Sequence, residues 1–240
     1  MPEHISRKEL KHDRIKETLE HGAEAVLSHS QLTLILLLIV LVIVSAYGGW
    51  RVYNDRQTVQ ASAAFDAAMK AHSARIGAAA DPTEPNELHY ADEASRSQDA
   101  AQKFAAAADK YPSAYYGRLS RYYQALCLED LERQNQALEE LKKLSSGSDK
   151  ELAAMAQYQT AVIYSRTGKP EDAIKIYRAL ADKSYVFVPR PLVLLELAGL
   201  LRQSKPQEAM TIYQQIKKDF PDTTASEAAD RGIENLSPAS

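Results

Sequence analysis

Cysteine, glycine and proline are scarce in this chain of 240 residues, and neither sign of charge dominates. A single cysteine, Cys127, excludes an intramolecular disulfide. It lies in an apolar helical run, Ala125-Leu126-Cys127-Leu128, where a thiol serves as a small core residue, and a lone thiol fits cytoplasm and periplasm equally. Nine glycines and ten prolines leave little punctuation, and alanine is abundant, so long helices joined by short turns are expected. With 29 Lys+Arg against 32 Asp+Glu there is no basic excess to neutralise a phosphate backbone, and nucleic acid is not an expected partner. The motifs of catalysis are missing as well. No nucleophile elbow, phosphate loop, zinc-ligand spacing or Cys/His pair is visible, so no catalytic, cofactor-binding or metal-binding residue is assigned, and neither enzymatic activity nor a cofactor is expected. The carboxylate pairs Glu129-Asp130 and Glu139-Glu140 read as solvated helix faces beside Lys142 and Lys143.

What the chain does contain is one long apolar run. Leu32 to Tyr47 carries no charge, and Gly48, Gly49 and Trp50 extend the run to 19 residues before Arg51. At about 1.5 Å per residue this spans roughly 28 Å, close to the thickness of a bilayer's hydrocarbon core. Trp50 and Tyr53 stand where an interfacial aromatic belt belongs, and Arg51 can reach outward to the headgroups. Val44-Ser45-Ala46 resembles a signal-peptide cleavage site, but the 31 residues ahead of the run exceed an ordinary n-region, so an uncleaved anchor over 32–50 is the expectation. Arg7, Lys8, Lys11, Arg14 and Lys16 precede the span, whereas Arg51, Arg56 and Lys70 follow it, which favours an inside N-terminus.

The tail over 1–31 opens with a capping box, Ser6-Arg7-Lys8-Glu9, and Ile15, Leu19, Ala23 and Val26 then recur at helical spacing. This predicts a short amphipathic helix, either resting on a membrane or partner or simply solvated. His4, His12, His21 and His29 are spaced 8, 9 and 8 apart, which scatters them around that helix and brings no pair to chelating distance.

Beyond the span the chain repeats itself. Ala100, Phe104 and Ala107 are followed by Tyr111-Pro112; Ala137, Leu141 and Leu144 form a second unit; Ala173, Tyr177 and Leu180 a third; Ala209, Tyr213 and Ile216, with Phe220-Pro221, a fourth. The leading alanines are 37, 36 and 36 residues apart. A small residue lets the second helix of a hairpin approach the first, and the larger residues four and seven later fill the space between hairpins. No hairpin of this kind buries its own face, so neighbours must stack. The first helices are placed by Ala125 and Ala161, each 12 before the next leading alanine, with Leu128 and Tyr164 three further on. Thr167-Gly168-Lys169-Pro170 and Ser204-Lys205-Pro206 read as turns that stop one helix and start the next. Arg51 to Ile76 is expected to be a helix with Val59, Ala63 and Met69 on one face, Gly77 to Tyr90 a loop, and 223–240 a capping helix from Thr223 through Asn235, with the C-terminal tail.

These units resemble the tetratricopeptide repeat over about 95 to 221, with a period two or three residues longer than usual and without the motif's leading tryptophan. The expected fold is all-α: a helical-hairpin solenoid over 95–222 attached through a membrane-proximal segment, 51–94, to one transmembrane helix. The resemblance puts the first helices on the concave side. By a 36-residue register, Tyr122, Leu126, Tyr158, Val162 and Leu194 then face a protein-binding groove, with Arg166 and Arg202 at its edge. The Lys/Asn set of carboxylate-clamp versions is absent.

The whole layout is similar to the bacterial ancillary subunits of the Sec translocon, through the anchor Leu32–Trp50, the Ala-rich helix Gln57–Ile76 and the closing Phe220-Pro221, Ala228-Ala229 and Ile233. That resemblance implies an inner-membrane protein with a periplasmic domain, whose partners are the translocon, periplasmic chaperones or unfolded exported chains. A scaffold for another envelope machine, in cell division or outer-membrane biogenesis, has the same layout. A homo-oligomer through the outer domain stays open.

Overall fold

The computed structural model describes residues 30–77 and 88–236. The tail helix, its capping box and its four histidines lie outside the described residues. The chain divides into two compact units, residues 1–56 and 57–240.

Helix α1 runs without interruption from Ser30 to His72, 43 residues. Leu32 and every residue from Leu34 to Trp50 are exposed, and among the described residues this is the one helix long and apolar enough to cross a membrane. The sequence predicts helix to Ile76, but α1 stops at His72, where the Ser73 hydroxyl donates to the Met69 carbonyl at 2.9 Å. Arg75–Ile76 (β1) then pairs in parallel with His89–Tyr90 (β2), so the expected loop is pinned at both ends. The Tyr90 hydroxyl donates to Asp99, which also pairs with Lys103.

Eight helices follow: α2 (Glu93–Lys110), α3 (Tyr115–Asp130), α4 (Gln134–Ser145), α5 (Lys150–Arg166), α6 (Pro170–Ala181), α7 (Arg190–Ser204), α8 (Pro206–Asp219) and α9 (Thr224–Glu234). From α2 onward each packs against its successor, while α3 also touches α5 and α7 touches α9. That pattern, successive helices packed in chain order with contacts reaching no further than the second neighbour, is a solenoid. Local chemistry sets the ends. The carboxylates of Asp92 and Asp149 accept the backbone N–H groups of Ser95 and Leu152, at 2.7 and 3.2 Å, and the Thr223 hydroxyl accepts that of Ser226. Pro170 and Pro206 occupy first helical positions, where the missing N–H costs nothing.

All twelve repeat-defining residues are buried: Ala100, Phe104 and Ala107 on α2; Ala137, Leu141 and Leu144 on α4; Ala173, Tyr177 and Leu180 on α6; Ala209, Tyr213 and Ile216 on α8. Each large side chain among them contributes about 1.5–3 kcal/mol by leaving water, and the alanines allow the close approach. Ala125 and Ala161 are buried on the partner helices. The apolar face of α1 differs from the one expected. Val59 is 69% exposed and Ala63 is also exposed, whereas Ala61, Ala68 and Ala71 are buried and Phe65 and Met69 are half-buried. Phe65 sits 5.8 Å from Phe104, 5.6 Å from Tyr116 and 5.5 Å from Tyr123, centroid to centroid. The end of α1 is therefore the first helix of the first hairpin, and the packed unit begins well upstream of residue 95.

Candidate protein-binding surface

The face formed by the first helices is built from side chains at three- and four-residue spacing, which a helix presents together. On α3 these are Tyr122, Leu126 and Glu129; on α5, Tyr158, Val162 and Arg166. Tyr122, Leu126, Tyr158 and Val162 are all half-buried, while Arg166 is exposed. Glu129 ties the helices together. One of its oxygens accepts from Arg166 Nη1 at 2.7 Å and the other from Gln159 Nε2. Its side chain is only 14% exposed, so this carboxylate is not the solvated one the sequence suggests. Glu140 departs in the same way, held by Arg121 at 2.6 Å and Lys143 at 2.7 Å.

The tyrosines are desolvated. Burial pushes the Tyr122 hydroxyl up to about 12, helped by Tyr123 and Glu129. Tyr158 is likewise pushed up to about 12, first by burial and then by the negative charge of Glu196. Tyr158 packs on Tyr177 of α6, ring centroids 5.7 Å apart. At pH 7 these phenols are neutral donors with large apolar bodies, suited to contact rather than to proton transfer.

Leu194 is a correction. It is 4% exposed and belongs to the core. The 36-residue register slips here because one residue, Lys205, separates α7 from α8, whereas Leu131 to Arg133 and Thr167 to Lys169 separate the two earlier pairs. The small residue facing Ala209 is consequently Ala198, fully buried, with Leu201 three further on also fully buried. One residue of slip turns a helix by about 100°. The position matching Tyr122 and Tyr158 is Leu195, which is half-buried. Arg202 is shifted too: it is exposed, and its charge acts on Tyr213.

A tetratricopeptide repeat-like domain model matches residues 28–237. The chain belongs to that family. Comparison with curated proteins and with solved structures found no match. Domains of this family are typically interaction modules rather than enzymes.

One pairing is invisible in the sequence, because its members lie 55 residues apart. Cys127 Sγ lies 3.5 Å from His72 Nδ1, among the rings of Phe104 and Tyr123. Cys127 is fully buried, and burial pushes its thiol up to about 12. Burial thus moves the thiol opposite to the lowered pKa that a reactive Cys–His pair needs. Among the described residues no three His, Cys, Asp or Glu side chains gather as a metal site requires.

Proposed function

We propose that this protein is a membrane-anchored scaffold at the bacterial inner membrane, an ancillary translocon subunit that links exported proteins to periplasmic chaperones. The observation that carries the reading is the half-buried apolar and aromatic face of Tyr122, Leu126, Tyr158 and Val162, in a repeat domain whose chain also contains an apolar run of membrane-spanning length. Half-buried tyrosines and aliphatic side chains give a partner large contact area at small entropic cost. A stack of hairpins holds that face rigid, which suits successive engagement of extended or partly folded segments. The apolar helix confines the domain to the bilayer surface where exported chains emerge, with the five basic residues before the span keeping the N-terminus on the cytoplasmic side.

The test is site-specific photocrosslinking in cells. A crosslinker at Tyr122, Leu126, Tyr158 or Val162 is expected to capture translocon subunits, chaperones or exported chains, and one at exposed Lys175 on α6 is not. Capture of lipid alone, or of components of a division or outer-membrane assembly machine, overturns the translocon assignment.

A further inference from the structure

Val186 and Phe187, 76% and 59% exposed, stand side by side in the loop between α6 and α7. The loop is not slack. Tyr185 and Val188, on either side of the pair, pack into the core. The Val186 and Phe187 N–H groups both donate to one oxygen of Glu151, at 2.9 and 3.1 Å. Arg190 Nε donates to the Ala181 carbonyl at 3.0 Å and closes the base of the loop. The two apolar side chains are therefore held outward on a fixed backbone. A backbone N–H that enters an apolar medium must bring its partner with it. In water these two N–H groups would need no such provision, yet Glu151 supplies it for both. Where the loop lies points to the medium. Phe65 packs on Tyr116, and His72 on Tyr123 and beside Cys127, so α1 and α3 run the same way. Arg118 near the start of α3 pairs with Asp149, the cap of α5, at 3.6 Å, and Glu151 in the first turn of α5 holds the loop before α7. The starts of α3, α5 and α7 thus line one edge of the stack, the edge at which the chain enters this unit at Gln57. The apolar run Leu32–Trp50 is the stretch of chain just ahead of that entry. Lys150, next to Glu151, and Lys183, in the loop itself, are both exposed and have no ion-pair partner among the described residues. Asp182 is the one carboxylate of the loop.

We propose that this loop dips into the surface of an anionic bilayer. Val186 and Phe187 enter the boundary between headgroups and acyl chains, while Lys150 and Lys183 meet lipid phosphates. The inference rests on the reading of Leu32–Trp50 as a membrane anchor and deepens it. The anchor keeps the loop close to lipid, so two apolar side chains suffice for a contact too weak to recruit a free domain. That second attachment limits the orientations the groove can sample.

The full chain with Trp50→Phe and Phe187→Trp carries a single tryptophan, in the loop. It is reconstituted into vesicles of three parts phosphatidylcholine to one part phosphatidylglycerol. Lipids brominated on the upper acyl chain should quench about half of its emission, because an interfacial side chain sits roughly 5–10 Å into the boundary. Lys175→Trp, combined with Trp50→Phe, puts the tryptophan on the exposed face of α6 and should keep its emission. Lys150→Glu with Lys183→Glu, or vesicles of phosphatidylcholine alone, should lower the quenching about twofold. Glu151→Ala leaves both N–H groups unpaired and should lower it as well. Unquenched emission that acrylamide reaches freely overturns the proposal. Emission shielded from acrylamide but untouched by bromine also overturns it and assigns the loop to a protein, a second copy if the shielding fades on dilution into excess lipid. Flotation separates the two readings. A chain that floats with the vesicles but shows no quenching keeps its anchor and loses the loop contact. A chain that alkaline carbonate washes off the vesicles loses both.

Discussion

Glu132 and Gly168 adopt the same left-handed backbone conformation, at φ 59° and 76°, in the turns that close two successive hairpins. The bonding around them matches. The Arg133 N–H donates to the Leu128 carbonyl at 2.8 Å, and the Lys169 N–H to the Tyr164 carbonyl at 2.9 Å. Glycine occupies such a cap without strain, whereas a residue with a Cβ pays about 1–2 kcal/mol. Replacing Glu132→Gly should therefore raise unfolding free energy by about 1 kcal/mol after the glycine's extra unfolded-state entropy is offset. An unchanged or lower urea midpoint would show that Glu132 is held by something besides its turn.

Gly117 answers to a different constraint. A Cβ placed there would sit 1.8 Å from the Tyr111 carbonyl oxygen, where the short link between α2 and α3 brings backbone against backbone. Since backbone cannot rotate away, Gly117→Ala should cost about 3 kcal/mol, at the upper end for overpacking. Thermal unfolding followed by circular dichroism measures it, and a loss smaller than for Gly199→Ala, where a Cβ meets open space, would contradict the close approach.

Leu194 and Leu195 test the register. Leu194→Asp buries a charge in the core and should destabilise the protein by about 3 kcal/mol or more. Leu195→Asp should leave the fold intact and weaken partner capture at the α5–α7 face. The reverse order, read from denaturation midpoints and crosslinking yield, would restore the 36-residue register.

The phenols and the thiol predict alkaline behaviour. Burial holds Cys127 at about 12 against an ordinary value of 9.0, and Tyr122 and Tyr158 at about 12 against 10.0. As pH rises, the unfolded chain releases these protons before the folded one does. Their contribution is complete below about pH 9 and is lost between about pH 9 and 12. Urea midpoints should fall across that window, and the double substitution Tyr122→Phe with Tyr158→Phe should flatten the decline. A decline of equal slope in the double variant would assign it to other groups.

The buried hydroxyl of Tyr177 has no hydrogen-bond partner among the described residues, and removing it should register as stability. Tyr177→Phe keeps the buried ring and deletes an unpaired polar atom, so the free protein should gain about 1 kcal/mol. A loss of similar size, measured by chemical denaturation, would mean that the hydroxyl is served in solution.

Much of this protein is local and therefore written in order along the chain. The apolar length of Leu32–Trp50, the alanine spacing and the turn prolines each depend on residues within a few positions of one another, so the sequence by itself determined the long helix, the hairpins and all twelve interior residues that define the repeats. Tertiary structure decided the rest. The one-residue shift from Leu194 to Leu195 comes from how tightly α7 turns into α8, and Phe65 becomes core only once α2 and α3 supply Phe104, Tyr116 and Tyr123. Contacts such as Glu129 with Arg166, Cys127 with His72 and Tyr177 with Tyr158 join residues 19 to 55 positions apart. No periodicity links them, because each is fixed by the angle and offset at which whole helices pack, and those are settled only when the stack is complete.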